Sequence, residues 1–119
     1  MYVVIRRFSH MRSVAQAARR AETGLGQILK RLPGFLGYYV FDAGNGVGGS
    51  VTWFDTKEAA IEANQKALVW IQASLADFID GEPEITAGEV LAAITAEADP
   101  EPFFMPDVAA LKSPLLSPL

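Results

Sequence analysis

In the first third of the chain, a run of β-branched residues is followed by apolar residues that recur at helical spacing. Residues 2–8 are predicted to form a first strand, because Val3, Val4 and Ile5 are β-branched. Ser9 is predicted to cap the helix that follows, since its side chain suits the free amides of a first turn. The apolar stripe of this helix consists of Met11, Val14, Ala15, Ala18, Leu25, Ile28, Leu29 and Leu32.

Two glycines interrupt this helical pattern before it ends. Gly24 and Gly26 each weaken the helix by roughly 1 kcal/mol relative to alanine, which predicts a kink or a break. Pro33-Gly34 then ends the helix.

Two aromatic and β-branched segments, joined by a glycine-rich turn, fill residues 33–55. Asn45-Gly46 in the turn tolerates positive φ angles and therefore predicts a β-hairpin. In the first strand of the hairpin, the side chains on both faces are apolar. One face carries Phe35, Tyr39 and Phe41, and the other carries Leu36, Tyr38 and Val40. Such a strand is expected to be covered on both faces, and a second copy of the protein is the candidate cover. The alternation leaves open whether Tyr38 or Tyr39 faces the helices.

The remaining pattern predicts one more helix and one more strand. Asp55 is predicted to cap the second helix, with Glu58 as its partner in a capping box. The buried stripe of this helix consists of Ala60, Ala63, Ala67, Leu68, Ile71, Leu75 and Phe78. Residues 80–83 end the helix at a proline. Residues 84–91 are predicted to form a shorter strand, although Gly88 dilutes its pattern.

The order strand, helix, strand, strand, helix, strand predicts an α+β, ferredoxin-like βαββαβ fold. Its four-stranded antiparallel sheet has both helices on one face. The other face would expose apolar side chains, which predicts a homodimer with the two sheets packed face to face. This domain is expected to span residues 1–92. Residues 93–119, rich in proline, are predicted to form a C-terminal arm on the partner subunit, with a floppy terminus as the alternative.

Composition narrows the class of protein. The chain has 119 residues, of which 50% are hydrophobic, and fits one folded domain. The net charge of -4 gives no electrostatic footprint for nucleic acid. No cysteine is present, which excludes disulfides and thiolate chemistry. No signal peptide and no apolar run of about 20 residues is evident, so we expect a cytoplasmic protein without a membrane span.

Several segments of the chain resemble the antibiotic-biosynthesis-monooxygenase-like proteins. They are residues 33–39, Trp53-Phe54-Asp55, the helix with Glu58-Ala59, Asn64 and Trp70, and residues 85–90. That group belongs to the dimeric α+β barrel superfamily, whose ferredoxin-like protomers pair through their sheets. The resemblance covers roughly residues 2–92. It implies the fold more than the chemistry, because the group includes cofactor-independent quinone-forming monooxygenases, haem-degrading enzymes and small proteins without a known activity.

Asn64 is the most informative candidate site residue, because it projects from the apolar face of the second helix. A buried amide without partners costs roughly 1–3 kcal/mol, so it must find some. It either orients a phenolic substrate or stabilises an oxyanion, or it bonds structurally to sheet backbone or a tyrosine. The structural alternative is favoured, since most buried polar groups are satisfied within the fold.

Other candidate residues lie on the hairpin and the first strand. Aromatic side chains suited to a flat substrate are Trp53, Tyr38, Tyr39 and Phe41. The same side chains also suit a core or a dimer interface. Arg6 and Arg7 are expected to point to opposite faces of the strand, and one of them can hold an anionic substrate. Alternatively, one is solvated and the other pairs with an acid across the dimer.

His10 is the only histidine and can act as a base near neutral pH. In the resembling superfamily a histidine can ligate haem, but His10 lies at the exit of the first strand, and a surface position is the favoured interpretation. One histidine cannot build a multi-histidine metal site. The glycine-rich turn lacks a phosphate-loop lysine. Neither a metal nor a cofactor is therefore predicted, and haem binding rests on His10 alone.

Two functions follow as hypotheses. The resemblance implies a cofactor-independent monooxygenase acting on an aromatic or polyketide-like molecule, with catalytic candidates Asn64, His10 and Arg6. The lack of a clear acid–base pair favours a non-catalytic dimer that binds a small apolar ligand or serves as a stress-related accessory protein.

Overall fold

The computed structural model of the protein describes residues 1–96. Its strands are β1 (Tyr2–Phe8), β2 (Phe35–Gly44), β3 (Val47–Phe54) and β4 (Glu84–Glu89), and its helices are α1 (Val14–Thr23), α2 (Leu25–Leu29) and α3 (Lys57–Ser74). The predicted C-terminal arm lies almost wholly outside the described residues. Within residues 1–96, no helix combines the length and the hydropathy needed to cross a membrane.

The strands form one antiparallel sheet in the order β2-β3-β1-β4. This order and the element sequence confirm the predicted α+β, ferredoxin-like fold. β1 and β3 are central, so each of their side chains faces either the helices or the opposite, open face of the sheet. β2 and β4 are the edges.

The core lies between the helices and one face of this sheet. Val4 and Phe8 of β1 and Phe54 of β3 contribute its sheet side. Leu25 and Leu29 of α2 are fully buried against it. α3 contributes the small residues Ala60, Ala63 and Ala67, which allow the helix to approach the strands closely and confirm this part of the predicted stripe. The predicted end at residues 80–83 is wrong, because α3 ends at Ser74, and Leu75 and Phe78 follow the helix.

The hairpin turn has the predicted chemistry. Asn45 and Gly46 have φ angles of 55° and 76°, the left-handed conformation that a tight hairpin turn requires at both central positions. The predicted interruption of the first helix is also confirmed. α1 ends at Thr23 and α2 begins at Leu25, with Gly24 between them beside the Trp70 ring.

The predicted cap of the first helix at Ser9 is wrong, because the segment after β1 is held by tertiary hydrogen bonds. The Met11 amide donates to the Gly46 carbonyl at 2.9 Å, and the Arg12 amide donates to the Phe78 carbonyl at 2.8 Å. The helix therefore begins only at Val14, after Ser13.

The cap of α3 also differs from the prediction. Thr56 is the N-cap, and its hydroxyl accepts from the Ala59 amide at 3.1 Å. Asp55 lies one residue earlier, where its amide donates to the Gly34 carbonyl at 2.9 Å and closes the end of the hairpin. Its backbone is thus committed to the sheet end and not to the helix.

Candidate functional site

A buried guanidinium lies between the sheet and α3. Arg6 is only 1% exposed. Its Nε donates to Oδ1 of Asn64 at 2.9 Å, and its Nη1 donates to the hydroxyls of Ser50 at 3.1 Å and Thr52 at 3.2 Å. We call these four residues the Arg6 cluster.

Strand alternation brings the cluster together. Val4, Arg6 and Phe8 of β1 are buried toward the helices, whereas Arg7 is exposed on the other side of the strand. In the antiparallel register Arg6 lies opposite Ser50, and Val4 lies opposite Thr52. Both hydroxyls of β3 therefore share a face with Arg6, below Asn64 of α3.

The charge of Arg6 has no anionic counterpart in the part of the chain that the structure describes. Its hydrogen-bond acceptors are an amide oxygen and two hydroxyls, and the ion pairs formed within residues 1–96 use other cations. Burial lowers the pKa of the guanidinium, but arginine is so basic that it remains charged. The cluster is therefore a fixed positive charge in a region of low dielectric.

Tyr38 is an ionisable side chain that interacts electrostatically with the charge of Arg6. It lies on β2 directly opposite Thr52 and packs against the core. Burial raises the pKa of its phenol to about 12, while the charge of Arg6 acts in the opposite direction. Tyr38 is therefore neutral near pH 7 and can donate a hydrogen bond to an anion.

The high pKa of Tyr38 makes a prediction. Since its pKa is about 12 in the folded protein and 10.0 in the unfolded chain, the unfolded chain loses its proton first. The contribution to stability is complete below pH 10 and declines as the pH rises toward 12. Alkaline titration of tyrosine absorbance should show one late-ionising phenol that is missing in Tyr38→Phe, while Tyr39→Phe keeps it. Loss of the late step in Tyr39→Phe instead would contradict the assignment.

A narrow apolar cavity adjoins the cluster between α1 and the sheet. Its free volume is about 30 Å³, and Tyr38, Val40 and Ser50 are among its lining residues. This is enough for a water-sized molecule but far below the roughly 300–1,000 Å³ of typical ligand pockets. The cavity itself is therefore too small for an aromatic ligand.

The other aromatic candidates lie on the open face of the sheet. Tyr39 and Trp53 meet edge to face there with ring centroids 5.1 Å apart, and the Phe41 ring lies over Gly49. The structure thus answers the question that the sequence left open, since Tyr38 faces the helices and Tyr39 does not. It does not bring Trp53, Tyr39 or the Phe41 ring into the Arg6 cluster.

Asn64 and His10 have different surroundings. Asn64 bonds to Arg6, and not to the sheet backbone or a tyrosine as its structural interpretation predicted. The His10 side chain is exposed. Its backbone carbonyl accepts a hydrogen bond from the Asp80 amide at 3.1 Å. Sequence reasoning missed Ser50 and Thr52. Their signal was two hydroxyl residues at i and i+2, which share one face of a strand.

No protein-family model matches the chain, and comparison with curated proteins finds no match either. Solved structures do share its fold. A monooxygenase from the gene ActVA-Orf6 of Streptomyces coelicolor, in complex with Nanaomycin D, is 15% identical, with a TM-score of 0.64 over 81% of this chain and 92% of that one. A candidate antibiotic biosynthesis monooxygenase from Nitrosomonas europaea is 19% identical, with a TM-score of 0.62 over 77% and 100%.

A third similar structure has no assigned activity. The NE2512 protein of unknown function from Nitrosomonas europaea is 17% identical, with a TM-score of 0.61 over 81% of this chain and 94% of that one. At such identities the likeness establishes the fold. The chain has the ferredoxin-like fold of antibiotic biosynthesis monooxygenase-like proteins.

Proposed function

We propose that this protein is a small oxygenase that binds an aromatic or polyketide-like phenol as its anion. The observation that carries the proposal is the buried Arg6 charge, whose described partners are all neutral. Burying an ion costs several kcal/mol when no counter-ion compensates it, so stability alone gives little reason for arginine at this position. A positive charge already fixed in the fold stabilises a phenolate or enolate without reorganisation.

The residues around the cluster have separate roles in this proposal. Arg6 supplies the positive potential, and Asn64, Ser50 and Thr52 hold its guanidinium in place. Tyr38 keeps its own proton and donates a hydrogen bond to the substrate oxygen. His10, which is exposed at the end of β1, has no part in this mechanism.

The proposed reaction needs no electrons from outside the substrate. The substrate anion transfers electrons to O₂, and a carbon–oxygen bond forms at the activated carbon. One oxygen atom remains as a quinone carbonyl, and the other leaves as water with the two hydrogen atoms that the substrate loses. The protein's contribution is to favour the anion and to exclude bulk water.

Oxygen uptake with a hydroxyanthrone tests this function. We expect one O₂ consumed for each quinone formed, with one isotopically labelled atom from O₂ in the product, at a rate well above the uncatalysed oxidation. Tight binding without turnover would favour the alternative, a non-catalytic ligand-binding protein. That alternative is supported by the lack of a near-neutral base in the Arg6 cluster. Equal rates with and without protein, and no binding, would overturn both. A binding titration with haemin tests the haem hypothesis.

We also propose a homodimer through the open face of the sheet. Ile5, Tyr39 and Phe41 are exposed there, beside the half-buried Trp53 and Val51. A continuous patch of this kind is unusual on a monomer. A second copy of the same sheet would cover it in the way the fold's resemblance to dimeric barrels implies.

A further inference from the structure

A wide groove opens on the far side of Tyr38 from the Arg6 cluster. It lies between the α1–α2 pair and the edge strand β2, and its free volume is about 420 Å³. This falls within the range of small-molecule sites, roughly 300–1,000 Å³, unlike the narrow cavity behind it. Its aromatic side chains on the helix side of the sheet come from Phe35 and Tyr38.

The rim of this groove is positively charged. Arg19 of α1 and Lys30, which follows α2, both line it, against a single acidic residue, Glu22. Arg19 and Lys30 are exposed, and neither belongs to an ion pair within residues 1–96. Among residues 1–96, two cations and one carboxylate line the groove and give it a net positive charge, although the whole protein is acidic at -4.

The groove and the narrow cavity share part of their walls. Ala18, Tyr38 and Val40 line both spaces. On the inner side the cavity reaches Ser50, whose hydroxyl accepts from Arg6. An aromatic ring in the groove therefore lies against Tyr38, with one end toward the buried charge and the other toward the charged rim.

We propose that this groove binds an aromatic small molecule that carries a carboxylate at the end remote from its phenol. Arg19 and Lys30 recognise the carboxylate, Phe35 contacts the ring, and Tyr38 donates a hydrogen bond to the phenolic oxygen. This assignment rests on the proposed function for the reacting end and adds the class of substrate. A neutral phenol of the same size loses the contribution of the rim.

A matched pair of ligands separates the rim from the rest of the site. A hydroxynaphthoic acid carries the carboxylate, and the corresponding naphthol lacks it. By calorimetry at low salt we expect the acid to bind on the order of tenfold more tightly than the naphthol, a preference that added salt reduces. In the double variant Arg19→Gln, Lys30→Gln the preference should disappear, with the affinity for the naphthol unchanged.

Arg31→Gln is the control, because this exposed cation lies next to Lys30 in sequence but does not line the groove. It should keep the preference. Equal binding of the two ligands, binding of neither, or a preference that survives in the double variant would overturn the inference. A rim-dependent preference without oxygen uptake would uphold it and overturn only the oxygenase proposal.

Discussion

Replacing Arg6 with methionine is expected to reduce oxygen uptake by about 10²–10³-fold, the usual loss when one preorganised stabiliser of an oxyanion is removed. The same substitution should change the free energy of unfolding by no more than about 2 kcal/mol. Removal of a buried charge without a counter-ion is favourable, and this offsets the hydrogen bonds lost by Asn64, Ser50 and Thr52. Rate and stability should therefore separate in this variant.

Two further measurements distinguish the effect of Arg6→Met on stability from its effect on the bound anion. Urea denaturation gives the free energy of unfolding, and absorbance of a bound naphthol gives the pH at which it ionises. The naphthol should ionise at lower pH when bound to the native protein than in water, and this difference should vanish in Arg6→Met. Arg6→Lys should restore part of it, since the charge returns without the guanidinium geometry.

Arg7→Gln is the matched control for a lost arginine on the same strand. Arg7 is exposed and bonds to Ser9 and Glu84, away from the cluster. Its replacement should leave uptake and ionisation as they are. Full uptake in Arg6→Met, or an equal loss in Arg7→Gln, would refute the role of Arg6.

Replacing Phe41 with glutamate is expected to convert the proposed dimer to monomers. Phe41 is 43% exposed on the open face and would be buried in the proposed interface. Twofold symmetry places the new carboxylate in the interface twice, and each buried unpaired charge costs about 3–5 kcal/mol. The dimer dissociation constant should rise by at least about 10²-fold, which sedimentation velocity at micromolar concentration would detect.

Val69→Glu is the control for an exposed apolar residue on another surface. Val69 is 68% exposed and lies on α3, on the helical side of the sheet. This variant should sediment like the native protein. A native protein that is already monomeric, or dissociation by Val69→Glu alone, would rule out the interface.

The fold could be predicted because local signals and tertiary packing agree over most of the chain. The alanine stripe of α3 and the Asn45-Gly46 turn both appear where the sequence pattern places them. The two helix caps failed where tertiary contacts took precedence. The amides of Met11 and Arg12 bond to distant carbonyls, so no helix starts after Ser9 and α1 begins only at Val14.

The candidate site was predictable only in part. The sequence predicted that Arg6 and Arg7 face opposite sides of β1 but not which side faces the helices, and the structural interpretation of Asn64 expected a bond to backbone or tyrosine. The pairing of Arg6 with Asn64 depends on where α3 crosses β1, which no local pattern encodes. The orientation of Tyr38 depends on strand register, which shifts between Phe35 and Gly37. Since both faces of β2 are apolar, the hydrophobic pattern could not fix that register.

The hydrogen bonds of Arg6 connect parts of the chain that are far apart, at separations of 44, 46 and 58 residues. Burial of a guanidinium is costlier still when its hydrogen-bond donors have no acceptors, and these three acceptors offset part of that cost. These bonds therefore form together, only after β1, β3 and α3 have assembled. Displacement of any one of the three elements removes an acceptor from the buried charge and raises the cost of its burial, so we expect local opening at this site to involve more than one element.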